Sequence, residues 1–251
     1  MNLPTTADLE VTADAPALAE GAARRFADLA RQAAAAQGKF CVALSGGSTP
    51  QALYARLAQA PYPNAIPWDK VHLFWGDERC VAPDHADSNF NMARRALLEA
   101  VAIPPQNVHR IRGEERPEQA AYRYEIELRS FFSGQSWPRF DLVLLGLGDD
   151  GHTASLFPGC AALQERERWA AVVPHTTPPP PLVARVTLTL NALNAAAQAI
   201  FLVAGAGKAK ILARALENAA GAEKLPAQLI QPTDGRLLWL VDRAARESYE
   251  G

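Results

Sequence analysis

A histidine closes a glycine-rich run, Gly146-Leu147-Gly148-Asp149-Asp150-Gly151-His152. Imidazole is the side chain whose ordinary pKa permits proton transfer near neutrality. Asp150 lies two residues before His152 and can hold the ring in one tautomer. His152 is therefore the first candidate for a catalytic residue, with Asp150 as its support. The other four histidines, His72, His85, His109 and His175, read as structural or surface positions.

The same glycines spell G-x-G-x-x-G after the apolar segment Phe140 to Leu145. That pattern is a first sign of a dinucleotide site, but its context argues otherwise. Pro158 cuts short any helix that starts at Gly151. Glu165 and Glu167 have roughly the spacing of a ribose-binding acid, yet they precede the next strand-like run. Asp149 and Asp150 would repel a pyrophosphate. A serine nucleophile fares no better. Gly46-Gly47-Ser48-Thr49-Pro50 ends in proline and does not complete G-x-S-x-G.

Anion binding is the other chemistry on offer. Ser45-Gly46-Gly47-Ser48-Thr49-Pro50 joins a strand to a helix and offers glycine backbone, hydroxyls and a helix N-terminus to a phosphate. Alternatively, Ser48 or Thr49 simply caps the helix. A helix end supplies only about 0.3–1 kcal/mol, so a phosphate dianion also needs basic side chains. Lys208, after Gly205-Ala206-Gly207, is one candidate; otherwise it is a solvated lysine like Lys210. Arg185, opening Arg-Val-Thr-Leu-Thr-Leu, is a second; otherwise it is an edge-strand charge. Asp77-Glu78-Arg79 follows Leu-Phe-Trp-Gly. It reads as a solvated loop or as a ligand-facing one. In the second case Arg79 orients a carbonyl or carboxylate, and Asp77 fixes a hydroxyl or an imidazole.

These loops need elements to hold them. Apolar spacing and the stop at Gly38 predict a helix over Ala15 to Gln37. Strands are expected at Phe40 to Leu44, Val71 to Trp75, Phe140 to Leu145, Ala199 to Val203 and Arg236 to Val241. Shorter β-like runs lie at Trp169 to Val173 and Arg185 to Leu190. Helices are expected from Thr49-Pro50 to about Gln59, Ser88 to Val101, Pro117 to Phe132 and Lys208 to about Asn218. Strand and helix alternate, so the fold class is α/β: three layers around a mainly parallel sheet. No linker or repeat divides residues 1–251, which read as one domain, with Pro178 to Pro181 as a stiff surface loop. In such sheets ligands gather at the carboxyl ends of the strands. The loops at Ser45 to Thr49, Gly76 to Arg79, Gly146 to His152 and Gly205 to Lys208 are expected to converge there.

Bulk properties exclude other classes. The 251 residues are 49% hydrophobic and carry a net charge of −2, with no basic excess for nucleic acid or an anionic membrane. Cys41, Cys80 and Cys160 form no C-x-x-C, which points to a reducing compartment. Met1 to Glu10 lacks the pattern of a signal peptide, and no apolar run reaches membrane-spanning length. A cytoplasmic protein is expected.

Taken in order, SGGSTP, WGDER with Ser88-Asn89, GLGDDGHTASLFPG, RVTLT and GAGK resemble the 6-phosphogluconolactonases over nearly the whole chain. The resemblance implies hydrolysis of 6-phospho-D-glucono-1,5-lactone in the oxidative pentose phosphate pathway. It also implies the modified Rossmann-like fold of the amino-sugar-phosphate isomerase/lactonase type, no cofactor and no metal, with a small sugar-phosphate lactone as substrate; a monomer is expected. It makes His152 the general base and Arg79 the cation beside the reacting carbonyl, with Asp77 and Asp150 as supports. Ser45, Gly46, Gly47, Ser48, Thr49, Arg185 and Lys208 become the phosphate site. Glucosamine-6-phosphate deaminases are a close alternative. Their matching loop, GHIAFNEPG, has a glutamate where this chain has Phe157, and they lack an arginine at the position of Arg79. A non-catalytic sugar-phosphate sensor on the same fold is a further alternative.

Overall fold

The computed structural model describes residues 7–177, 179–217 and 223–247. In chain order the elements are β1 (Ala7–Thr12), α1 (Ala15–Gln37), β2 (Phe40–Leu44), α2 (Ser48–Leu57), α3 (Tyr62–Ala65), β3 (Val71–Trp75), β4 (Asp77–Arg79), α4 (Asn89–Ala96), α5 (Pro117–Phe131), β5 (Leu142–Leu145), β6 (Ala170–Val173), β7 (Arg185–Leu188), α6 (Leu190–Asn194), β8 (Gln198–Val203), α7 (Ala209–Leu216), β9 (Arg236–Asp242) and α8 (Arg243–Glu247). Helix α1 spans the expected residues. It is capped by Asp14, whose carboxylate accepts from Ala17 N at 2.8 Å, a contact worth about 1 kcal/mol.

Six strands form one sheet in the order β1-β9-β8-β5-β2-β3, all neighbours parallel. Every residue of β2 and β5 is buried. Successive side chains point to opposite faces, so both faces of the sheet are covered, as continuous apolar runs require. The first strand was not legible: Ala7 to Glu10 falls within the segment read only for a leader, whose first six residues lie outside the described ones. β1 gains its place by parallel pairing along β9, from Ala7 opposite Leu237 to Thr12 opposite Asp242.

Strands β8, β5, β2 and β3 are consecutive neighbours. The four polar loops are those that follow these four strands, so adjacency in the sheet brings them together. The chain order reverses beside β2, which pairs with β3 on one side and β5 on the other. That is the switch point at which open sheets form their crevice.

A second, three-stranded antiparallel sheet, β4-β7-β6, was not foreseen. Gly76 links the two sheets. Its N–H donates to Leu44 O at 2.8 Å and its carbonyl accepts from Leu188 N at 2.7 Å. The triplet Asp77-Glu78-Arg79 is therefore a strand with two buried members, not a solvated loop. Arg185 sits on β7, the central strand, not on an edge. Pairing overrides the polarity of these short segments, because a buried backbone must find partners.

Two helix ends also differ. The helix expected to reach Val101 ends at Ala96 and passes into a 3-10 turn at Leu98–Ala100. The one expected from Lys208 begins as a 3-10 turn, Ala206–Lys208, before α7; its expected end at Asn218 lies outside the described residues.

Candidate active site

Two tyrosines fix the strand ends from which the site is built. Tyr54, fully buried on α2, accepts from Ser45 N at 2.9 Å and donates to Ser45 O at 2.8 Å. Tyr124 on α5 does the same for Trp75, accepting from its N–H at 3.0 Å and donating to its carbonyl at 2.8 Å. Each hydroxyl replaces a missing strand neighbour just where the chain leaves the sheet. Burial pushes both phenols well above the usual range, so both remain neutral and able to donate. Apolar periodicity alone places these residues in the core; nothing in it reveals the hydroxyl's task.

After Ser45 the chain enters α2 through Gly46 and Gly47. The cap position is Gly47, and no side chain caps the helix. Neither Ser48 nor Thr49 is the cap, so the N–H groups of the first turn stay available. Gly46 is dictated by space: a Cβ there would lie 2.0 Å from Asn89 Oδ1.

The β4–β7 pair sorts its side chains by strand alternation. Asp77 is opposite Thr187 and Arg79 opposite Arg185, so these four share one face. Glu78 takes the other. Its carboxylate accepts from Arg79 N, Asn89 N, Phe90 N and Ser88 Oγ at 2.7–3.0 Å, binding the start of α4 to β4. Burial pushes the Glu78 carboxyl up to about 7 against its three backbone donors, and the charge of Asp77 adds to the rise. Asp77 accepts from Asn89 Nδ2 at 3.1 Å and from Ser155 Oγ at 2.5 Å. It therefore fixes the Ser155 hydroxyl and braces the loop that bears His152 rather than the imidazole itself.

Arg79 Nη1 donates to Asp87 O at 2.6 Å, and Arg185 Nη2 to Pro181 O at 3.2 Å. The Nε of each is buried with no hydrogen-bond partner among the described residues. Arg185 is only 3% exposed. Burial lowers its pKa, Asp77 opposes that, and the charge of Arg79 adds to it. Two guanidinium groups thus stand together with donors unspent.

On the far side, His152 Nδ1 lies 2.5 Å from Asp150 Oδ1, which also accepts the His152 backbone N–H at 3.0 Å. A carboxylate only accepts, so Nδ1 carries the proton and the Nε2 lone pair is left for chemistry. Burial would raise the Asp150 carboxyl, but the hydrogen bonds and charge of His152 outweigh it and hold the pKa below the usual range. Gly148 makes room for this ring: a Cβ there would sit 2.0 Å from His152 Nδ1. No α-helix follows Gly151; the chain turns through a Thr153–Leu156 bridge instead. This excludes the dinucleotide arrangement on the ground foreseen from Pro158.

Lys208 Nζ meets Asp149 Oδ1 at 2.6 Å. The two aspartates of the glycine loop are therefore each paired with a cationic or imidazole partner. Lys208 is steadied by its loop: Gly205 N donates to buried Asp242, which also accepts from Ala245 N at the start of α8.

Together these groups line one cleft of about 290 Å³. All the expected residues line it except Asp150, which acts from behind His152. Asn89, noted only as part of a motif, lines it too. So do Pro179 and Pro180, from a run expected to be a surface loop; Pro178 lies outside the described residues. Among the described residues no group of three or more His, Cys, Asp or Glu could hold a metal ion.

Comparison with known proteins identifies the family and the fold. Residues 13–239 match the family model described as glucosamine-6-phosphate isomerases/6-phosphogluconolactonase. A 6-phosphogluconolactonase of Nostoc sp. is 47% identical over 212 residues, covering 83% of this chain and 84% of the relative. One from Synechocystis sp. is 46% identical over 220 residues, covering 86% and 88%. The solved structure of 6-phosphogluconolactonase from Trypanosoma brucei superposes with a TM-score of 0.86 at 30% identity, over 97% of this chain and 98% of that one.

Proposed function

The chain belongs to the family of glucosamine-6-phosphate isomerases and 6-phosphogluconolactonases, and from that premise we propose that its cleft hydrolyses a sugar-phosphate lactone with His152 as general base. The reaction is 6-phospho-D-glucono-1,5-lactone to 6-phospho-D-gluconate, in the oxidative pentose phosphate pathway. The observation that carries the mechanism is the His152–Asp150 pair in the same cleft as the Arg79–Arg185 pair. One supplies a base with a fixed tautomer; the other supplies unspent donors for negative charge.

The phosphate is held by the open first turn of α2, at Ser45 to Thr49, with Lys208 and Arg185 supplying the charge that a helix end lacks. This places C1 near His152. The Nε2 lone pair takes a proton from water as its oxygen attacks the carbonyl carbon. Negative charge moves to the carbonyl oxygen, where Arg79 stabilises it. The C1–ring oxygen bond then breaks, and the imidazolium returns its proton to the ring oxygen. Asp150 stays ionised throughout and stabilises the imidazolium.

Phe157 argues against the deaminase chemistry. It is a buried ring packed on His152 at 4.4 Å, and it has no proton to exchange where that family places a glutamate. The same proposal treats residues 1–251 as one lactonase domain, a monomer, and cytoplasmic. No described helix is long and apolar enough to cross a membrane.

The deciding experiment is acid release from freshly made 6-phosphogluconolactone. Release well above the spontaneous rate is expected. A rate no faster than the spontaneous one, with 6-phosphogluconate still bound, would instead indicate a sensor.

A further inference from the structure

Pro179, Pro180 and Pro181 have no N–H groups, so this segment can be tied down only through its carbonyls. Two side chains do so. Arg185 donates to Pro181 O, as above. His175 Nε2 lies 2.5 Å from Pro179 O. A carbonyl only accepts, so Nε2 carries the proton. Pro179 and Pro180 are part of the cleft wall, and the bond from His175 meets that wall at Pro179.

The ring of His175 has a second contact. It stacks on Phe157 with centroids 4.3 Å apart and planes 22° apart. Phe157 in turn packs on His152, at 4.4 Å and 39°, and Arg185 lies over the Phe157 ring at 5.2 Å. His175 is itself 6% exposed. It is the outer ring of a three-ring stack whose inner member is the base.

We infer that His175 is a positioning residue: its Nε2–H pins the proline wall of the cleft, and its ring braces Phe157 behind His152. The inference rests on the lactonase reading. It separates into two measurable parts, because the donor sets how well substrate fits and the ring sets how the base is aimed.

Two substitutions divide these parts. His175→Phe keeps an aromatic ring on Phe157 and removes the donor. His175→Gln keeps an N–H donor and removes the ring. For His175→Phe, KM for the lactone should rise about 3- to 10-fold, the worth of one hydrogen bond, with kcat held. For His175→Gln, KM should return toward wild type while kcat falls about 3- to 10-fold, the worth of one aromatic pair. Calorimetric binding of 6-phosphogluconate reads the wall without turnover, so it decides that half of the inference even if the wild type proves not to be a lactonase. Wild-type affinity in His175→Phe would overturn it. So would equal losses of kcat and affinity in both variants, the mark of general loosening. Should neither variant fold, imidazole NMR of the wild type decides: a slowly exchanging Nε2–H on His175 is expected, and an Nδ1–H tautomer would overturn the bond to Pro179.

Discussion

Arg79 and Arg185 stand directly opposite one another in the antiparallel β4–β7 ladder, and each leaves a buried Nε without a partner among the described residues. Opposite positions of such a ladder project to the same face. Two like charges so placed repel, and an anion held by Arg185 relieves that repulsion. Phosphate or 6-phosphogluconate should therefore raise the thermal unfolding midpoint. The stabilisation is about 2.7 kcal/mol at a ligand concentration 100 times Kd. Arg185→Gln should abolish most of that shift. Arg79→Gln should instead lower kcat, by about 10²–10³-fold if it removes the donor to the developing oxyanion. A full ligand-induced shift in Arg185→Gln would remove that residue from the anion site.

Replacing the base tests the centre of the mechanism. His152→Ala should lose about 10²–10⁴-fold in kcat and keep much of the affinity for 6-phosphogluconate. Asp150→Asn should act differently. The native carboxyl is held low and so is ionised at working pH. Its removal takes away the charge that favours imidazolium. The acid limb of the rate profile should then move to lower pH as kcat falls. A rate profile in Asp150→Asn that coincides with wild type would detach this carboxylate from His152.

With Lys208 in the proposed phosphate site, Asp149 is expected to compete with substrate. Its side chain is 86% exposed, yet it holds the Lys208 ammonium. A phosphate that recruits Lys208 must displace it. Asp149→Asn should lower KM for the phosphorylated lactone, and the gain should shrink as salt is raised, because exposed charges are screened. An increase in KM would show that Asp149 orders Lys208 for substrate instead.

Acid stability has a separate origin, away from the cleft. Burial, with the neighbouring His109 and Lys39, lowers the pKa of His72 from 6.5 to about 4. Above pH 6.5 the ring is neutral folded and unfolded, and it contributes no pH dependence. Between about 6.5 and 4 the unfolded chain binds a proton on this ring that the folded one does not, so the contribution of His72 to stability falls as pH falls, opposite in sign to that of the raised Glu78 carboxyl. His72→Phe should flatten that part of the stability curve in urea unfolding at pH 7 and pH 5. An unchanged slope would assign the acid sensitivity to other groups.

What the sequence determined by itself is local. Apolar periodicity fixed α1 and the buried strands, because burial on one or both faces leaves its pattern in the chain. Glycine spacing marked the loops, and a strand-end histidine beside an aspartate marked the candidate base. The order of the strands was not local, and neither was the small antiparallel sheet. Asp77-Glu78-Arg79 reads as a solvated or a ligand-facing loop until β7 supplies its partners, and Arg185 as an anion-binding cation or an edge charge until β4 and β6 close around it. The tasks of Tyr54, Tyr124, Asn89 and His175 were not legible either. Their work is done by single polar atoms that meet residues 9, 49, 12 and 4 positions away. Composition shows such a residue as core or surface; only the folded chain shows which buried N–H or carbonyl it satisfies, and that requirement placed the catalytic loop, the arginine pair and the proline wall around one cleft.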